Sequence, residues 1–162
     1  MKKLVCLIGM GCMLVSASSC LKAGLDKDLP KFKDALMTDV FMEYLYETPG
    51  SGSSPVVKAV SMSLSGKQFK KKEDSGAPAD SAIFTVTVPA ASGTFTTEER
   101  AKVTMANLSF MCNISTAATM EPVDGAPKPG VPGDFGQARK YRITAADGSS
   151  REWVVRIAGF IK

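Results

Sequence analysis

From residue 39 onward, apolar and polar positions follow the pattern of strands. Val40-Phe41-Met42-Glu43-Tyr44-Leu45-Tyr46 is rich in strand formers and runs into Thr48-Pro49-Gly50-Ser51-Gly52-Ser53-Ser54-Pro55, a loop by composition. Val60-Ser61-Met62-Ser63-Leu64-Ser65 alternates with period two, as a half-buried strand does. Ile83-Phe84-Thr85-Val86-Thr87-Val88 is a further strand closed by Pro89, with Ile83, Val86 and Val88 competing for burial. Val103 to Ile114 reads as one or two strand segments broken near Asn107. A short strand around Ala118-Thr119-Met120 ends at Pro122.

The strongest local pattern lies at the C-terminus. Tyr141 to Ala145 alternates, Asp147-Gly148-Ser149-Ser150 turns, and Glu152 to Ile157 alternates back, which predicts a hairpin. Tyr141, Ile143, Trp153, Val155 and Ile157 fall on inward faces, whereas Arg142, Thr144, Glu152 and Arg156 fall outward. Between the strands, Lys67-Gln68-Phe69-Lys70-Lys71-Lys72-Glu73-Asp74 reads as a solvated connection. Thr96 and Glu99 stand at capping-box spacing for a short helical turn. Residues 123–136 hold three prolines and four glycines and form a long ordered loop or crossover. The whole predicts an all-β chain, a single immunoglobulin-like β-sandwich of about seven strands over residues 39–162.

The N-terminus has a different pattern. Met1-Lys2-Lys3 is followed by an apolar run from Leu4 to Val15 and then by Ser16-Ala17-Ser18-Ser19-Cys20. A positive start, an apolar core and a small-residue cleavage site describe a secretory signal peptide over residues 1–19. The core is shorter than the ~20 apolar residues a membrane span needs. The cysteine directly after the small residues resembles a lipobox, with Ala17 where leucine is usual. On that reading Cys20 carries the lipid, including palmitate-type acyl chains, and holds the chain to the outer membrane. Residues 20–38 are then the lipidated N-terminus and a tether.

That reading changes what composition means. Without residues 1–19 the chain keeps 143 residues, enough for one core, and a charge of +2 from 18 basic and 16 acidic side chains. So small an excess gives no warrant for nucleic-acid binding. Cys6 and Cys12 leave with the signal and Cys20 is acylated, so Cys112 has no disulfide partner and reads as a small buried hydrophobe. Histidine is absent from the whole chain, which removes the usual general base and the commonest metal ligand. No catalytic residue, metal site or cofactor is expected.

Residues Asn107-Leu108, Ile114-Ser115, Ala118 to Pro122, Gly125, Asp134-Phe135, Tyr141 to Ser149 and Trp153-Val154-Val155 appear in an order that resembles a known family. It is the immunoglobulin-like domain of Bacteroides-type lipoproteins, often found N-terminal to a domain assigned to carbohydrate metabolism. The resemblance implies structural roles: Pro122 ends a strand, Asp134-Phe135 plugs a loop into the core, and Trp153 supplies buried surface. It implies no catalytic residue.

Three functions remain open. The first is a non-catalytic envelope lipoprotein whose sandwich binds a ligand or serves as an accessory module, with carbohydrate the ligand class the family context implies. Exposed aromatics would carry that binding, and Tyr44, Tyr46 and Phe160 are the candidates, ahead of Tyr141 and Trp153. The second is a structural or assembly partner of another envelope protein, such as a fimbria-like subunit. The third, an enzyme, has little to recommend it, because the acids lie in loops or on outward faces and no pair of them is marked.

Overall fold

The computed structural model describes residues 31–50 and 54–162. The expected signal, Cys20 and the first part of the tether lie outside the described residues. Among those described, nine strands form two sheets, with short helical turns between them. They are β1 (Met37–Thr48), β2 (Val56–Ser61), β3 (Ser63–Lys70), β4 (Asp80–Thr87), β5 (Leu108–Ile114), β6 (Thr119–Val123), β7 (Pro132–Gly133), β8 (Arg139–Thr144) and β9 (Ser150–Ile161). One sheet runs β2-β1-β5-β7 and the other β3-β4-β9-β8-β6. Neighbours pair antiparallel except β4 and β9, which run parallel. The fold is an all-β sandwich.

Alternation decides which side chains meet between the sheets. On β1, Val40, Met42, Tyr44 and Tyr46 point inward; on β4, Ala82, Phe84 and Val86 do. Ile83 was a competitor for burial but has the opposite parity, and it is only partly buried. Trp153, Tyr141, Phe84 and Phe110 are the largest fully buried side chains. Each such side chain contributes about 1.5–3 kcal/mol by leaving water. Burial on this scale is what holds a sandwich without a disulfide. Cys112 is a free thiol, partly buried against Met120, whose sulfur lies 3.4 Å away.

Four expectations change. The alternation of Val60, Met62 and Leu64 predicts one strand, but the chain crosses between sheets there. Met62 sits buried at the crossing, and its N–H donates to Met42 O at 2.8 Å. All three apolar side chains keep facing the core, so the pattern survives while the sheet changes. The charge run is strand in its first half. Gln68, Phe69 and Lys70 pair with Ile83, Ala82 and Ser81, because Phe69 packs inward and an edge strand tolerates the lysines around it. Its second half begins α1 (Lys72–Ser75). Third, Pro122 lies within β6 opposite Tyr141, since an edge strand need not use every N–H.

The fourth concerns residues 34–38, expected to be tether. Ala35 is buried, its carbonyl accepts the Trp153 Nε1–H at 3.1 Å, and Leu36 donates its N–H to Ser115 Oγ and accepts the Ser115 N–H on its carbonyl. This stretch is part of the fold. A mixed composition around Pro30 conceals it, because what orders the segment is a bond to a tryptophan 118 positions away.

The crossover at 123–136 is ordered as expected. Phe135 is buried 5.8 Å from the Phe110 ring, and its N–H donates to Met105 O at 2.7 Å. The Tyr141 hydroxyl donates to Pro127 O at 2.9 Å.

Candidate functional site

Tyr44 and Tyr46, two positions apart on β1, share its inner face, and their rings stack with centroids 6.0 Å apart. The ring of Phe95 closes over both, at 6.4 and 5.8 Å. The two tyrosines are only 6% and 8% exposed. Neither presents a ring face to solvent, which corrects the expectation that they form an open platform. Their phenyl bodies are core, and only their hydroxyls reach the polar rim. Tyr141 and Trp153 are more deeply buried still. Phe160 lies on the other sheet, opposite Val86 and packed against the core. The structure therefore brings Tyr44 and Tyr46 together and leaves Phe160 apart.

Above Phe95 the chain turns into α2 (Thr97–Lys102), which begins where the Thr96–Glu99 spacing places it. Thr96 Oγ1 accepts the Glu99 N–H at 3.2 Å. The Glu99 side chain does not close the capping box. One of its oxygens accepts the Tyr44 hydroxyl at 2.7 Å, and the other meets Lys102 Nζ at 2.7 Å. Arg100 donates to Pro89 O at 2.8 Å and holds the helix to the end of β4. Burial, reinforced by Glu99, pushes the Tyr44 phenol up to about 12. The Lys102 ammonium, with the Tyr44 hydroxyl, holds the Glu99 carboxyl below its usual range.

Beside this network runs a groove of about 620 Å³, lined by Thr48, Pro49, Gly50, Val56, Lys58, Thr94 and Thr96. Thr94 is its polar centre. Its hydroxyl lies 3.0 Å from Tyr46 Oη and accepts from Lys58 Nζ at 3.2 Å. Its lining combines apolar Pro49 and Val56 with the hydroxyls of Thr48, Thr94 and Thr96 and the Lys58 ammonium. The volume falls within the roughly 300–1,000 Å³ of small-ligand sites. Of these residues the sequence singles out only Thr96, and as a cap. Lys58 and Thr94 lie 36 positions apart, and no local pattern joins them.

No described helix is long and apolar enough to cross a membrane. No curated protein matches the chain. In its fold the chain is similar to a Bacteroides fragilis protein whose crystal structure is described as that of a secreted protein. The two share 32% identity with a TM-score of 0.70, over 82% of this chain and 100% of that one. The family model described as DUF5018-related matches residues 37–156, the sandwich from its first strand through most of its last. The chain belongs to the DUF5018-related family.

Proposed function

We propose that this protein is a non-catalytic module of the bacterial cell envelope, carried on lipid at Cys20, that takes carbohydrate in the groove around Thr94. The groove's lining carries the reading. A sugar has an apolar C–H face and a ring of hydroxyls, and the groove's lining offers both apolar and polar groups. Pro49 and Val56 contribute apolar surface, and Lys58 and Thr48, Thr94 and Thr96 contribute an ammonium and hydroxyls. Phe95, the stacked tyrosines and the α2 cap hold the polar groups in place, so binding costs little ordering. The secreted relative and the signal-like N-terminus support export. The resemblance to a lipoprotein domain that stands beside carbohydrate-metabolism domains supports the ligand class.

A glycan array probed with the full chain carrying Cys20→Ser, which is not acylated, tests the ligand. The expected result is binding to a subset of glycans that Lys58→Ala and Thr94→Ala each weaken about tenfold. Binding no higher than background on the whole array overturns the carbohydrate reading. Metabolic labelling with a palmitate analogue tests the anchor separately, since label should enter the Cys20 chain and not the Cys20→Ser chain.

A further inference from the structure

The charge of the groove around Thr94 is unbalanced. Lys58 is the only charged residue in its lining, beside three threonines. It stands opposite Tyr46 in the β1–β2 register, so its side chain leaves the sheet on the same face as that ring, toward the sandwich rim. Lys67, Lys102 and Lys140 each meet a carboxylate. Among the described residues Lys58 meets none, and its one bond is to Thr94 Oγ1 at 3.2 Å. The two acids of α2 are engaged elsewhere. Glu99 divides its oxygens between Tyr44 and Lys102, and Glu98 is held below its usual range by its own backbone N–H and the Thr96 hydroxyl.

Hydrogen-bonding capacity is unbalanced in the same sense. An ammonium has three N–H donors and no acceptor, so Lys58 keeps two after its bond to Thr94. Thr94 Oγ1 also lies 3.0 Å from Tyr46 Oη. Tyr46 is buried, its phenol is the stronger donor, and Thr94 is the one described acceptor it reaches, so Tyr46 donates. Thr94, exposed at the surface, then keeps its own O–H for the groove. Thr48 spends its proton on Val56 O at 3.3 Å. What remains is a positive charge and two donor groups 3.2 Å apart, with no described carboxylate paired to them. A neutral sugar hydroxyl that accepts here brings a proton that must find an acceptor of its own. An anionic oxygen brings none.

We propose that the groove selects an acidic sugar, whose anionic substituent, a carboxylate or a sulfate ester, accepts from Lys58 Nζ and Thr94 Oγ1 together. This rests on the carbohydrate reading and narrows it from sugars in general to charged ones. Bonds from an ammonium to an anionic oxygen are about twice as strong as those between neutral groups, so the acid is the part of the ligand this lining rewards most. A lysine pointing inward on an edge strand also keeps other strands from adding to the sheet. That role accounts for the charge on β2. It does not require the ammonium to be seated on Thr94 or a hydroxyl proton to be left beside it.

The full chain carrying Cys20→Ser tests this on paired glycans that differ only in charge. Uronic-acid oligosaccharides are set against the same chains reduced at the carboxyl, and sulfated oligosaccharides against their desulfated forms. In at least one kind of pair the acidic member should bind about tenfold more tightly, and the kind that does so names the anion. Added sodium chloride should erode that preference, since it screens exposed charges. Lys58→Met keeps an apolar stem and should bring the two members within about twofold, whereas Lys58→Arg should preserve the preference. The ratio is the readout, because a partly unfolded variant lowers both affinities alike. Neutral glycans that bind as tightly as their acidic twins overturn the inference and leave the carbohydrate reading standing, while no binding by any glycan overturns both. A preference that survives Lys58→Met also overturns it and leaves Lys58 as a guard of the sheet edge.

Discussion

Arg151 closes on the carboxylate of Asp80 from two directions, Nε to Oδ2 at 2.5 Å and Nη2 to Oδ1 at 2.9 Å, at a site where Asp80 is 1% exposed. The Lys72 N–H donates to the same carboxylate at 2.7 Å, and Arg151 also reaches Glu73 at 2.6 Å. One guanidinium thus ties the first turn of α1 and the start of β4 to β9. Removing it leaves a buried carboxylate with a single N–H. Arg151→Ala should therefore destabilise the fold by about 3 kcal/mol, read as a lower urea midpoint with an unchanged slope. Asp80→Asn combined with Arg151→Ala should cost less than Arg151→Ala alone, because no charge is then stranded.

The same pair sets the acid limit. Burial alone would raise the Asp80 carboxyl, but Arg151 and the Lys72 N–H outweigh it and hold it below the ordinary carboxylate value. A carboxylate lowered in the folded state adds stability above its unfolded value near 4, and that stability disappears as pH falls through the lower folded value. Urea midpoints should therefore drop steadily below about pH 4. The drop should be shallower in Asp80→Asn, and equal slopes in both proteins would exclude this pair as its cause.

Trp153 carries a second long-range bond, from its indole N–H to Ala35 O. Trp153→Phe keeps much of the buried ring and loses the donor, leaving a carbonyl unsatisfied at a cost of about 1–3 kcal/mol. Hydrogen exchange should rise selectively over residues 33–37, ahead of the rest of β1. Uniform acceleration across the sandwich would instead make the indole a packing element alone.

The sequence displays its strands where alternation is local and hides what depends on distant partners. Tyr141, Ile143, Trp153 and Val155 alternate within a few residues of one turn, and all four are buried as read. The Asp134-Phe135 plug came from the family resemblance and not from local alternation, and Phe135 is buried as the resemblance implies. The boundary at residue 39 failed because Ala35 and Leu36 are ordered by Trp153 and Ser115, far along the chain. The candidate site failed in the same way. Tyr44 and Tyr46 have the composition of a platform, and only the return of Phe95 across them makes them core. Lys58 and Thr94 meet solely because β2 and the segment before α2 reach the same rim.

Burial pushes the Cys112 thiol up to about 12, so little thiolate exists at neutral pH, and thiolate is the reactive form. In the Cys20→Ser chain after signal removal, iodoacetamide at pH 8 should leave Cys112 unmodified for hours and alkylate it within minutes in urea. Equal rates in both conditions would mean that the β5–β6 region opens freely in the native state.

Tyr44 sets an alkaline limit that separates burial from its bond to Glu99. Its phenol rises to about 12, chiefly by burial and secondly because Glu99 accepts its proton and repels the phenolate. A phenol raised in the folded state contributes stability below its unfolded value near 10, and loses it as pH climbs through the folded one. The wild-type urea midpoint should accordingly fall between about pH 10 and 12, and Tyr44→Phe, which has no proton to lose, should fall less. Glu99→Gln removes the charge but not the burial. NMR of the tyrosine ζ carbons should therefore show the Tyr44 signal titrating earlier in Glu99→Gln, yet still later than a free phenol near 10. A Tyr44 signal that titrates like free tyrosine in that variant would mean that Glu99 alone sustains the shift. Phe95 would then not seal the ring from water, and the polar rim of the groove would lack its fixed support.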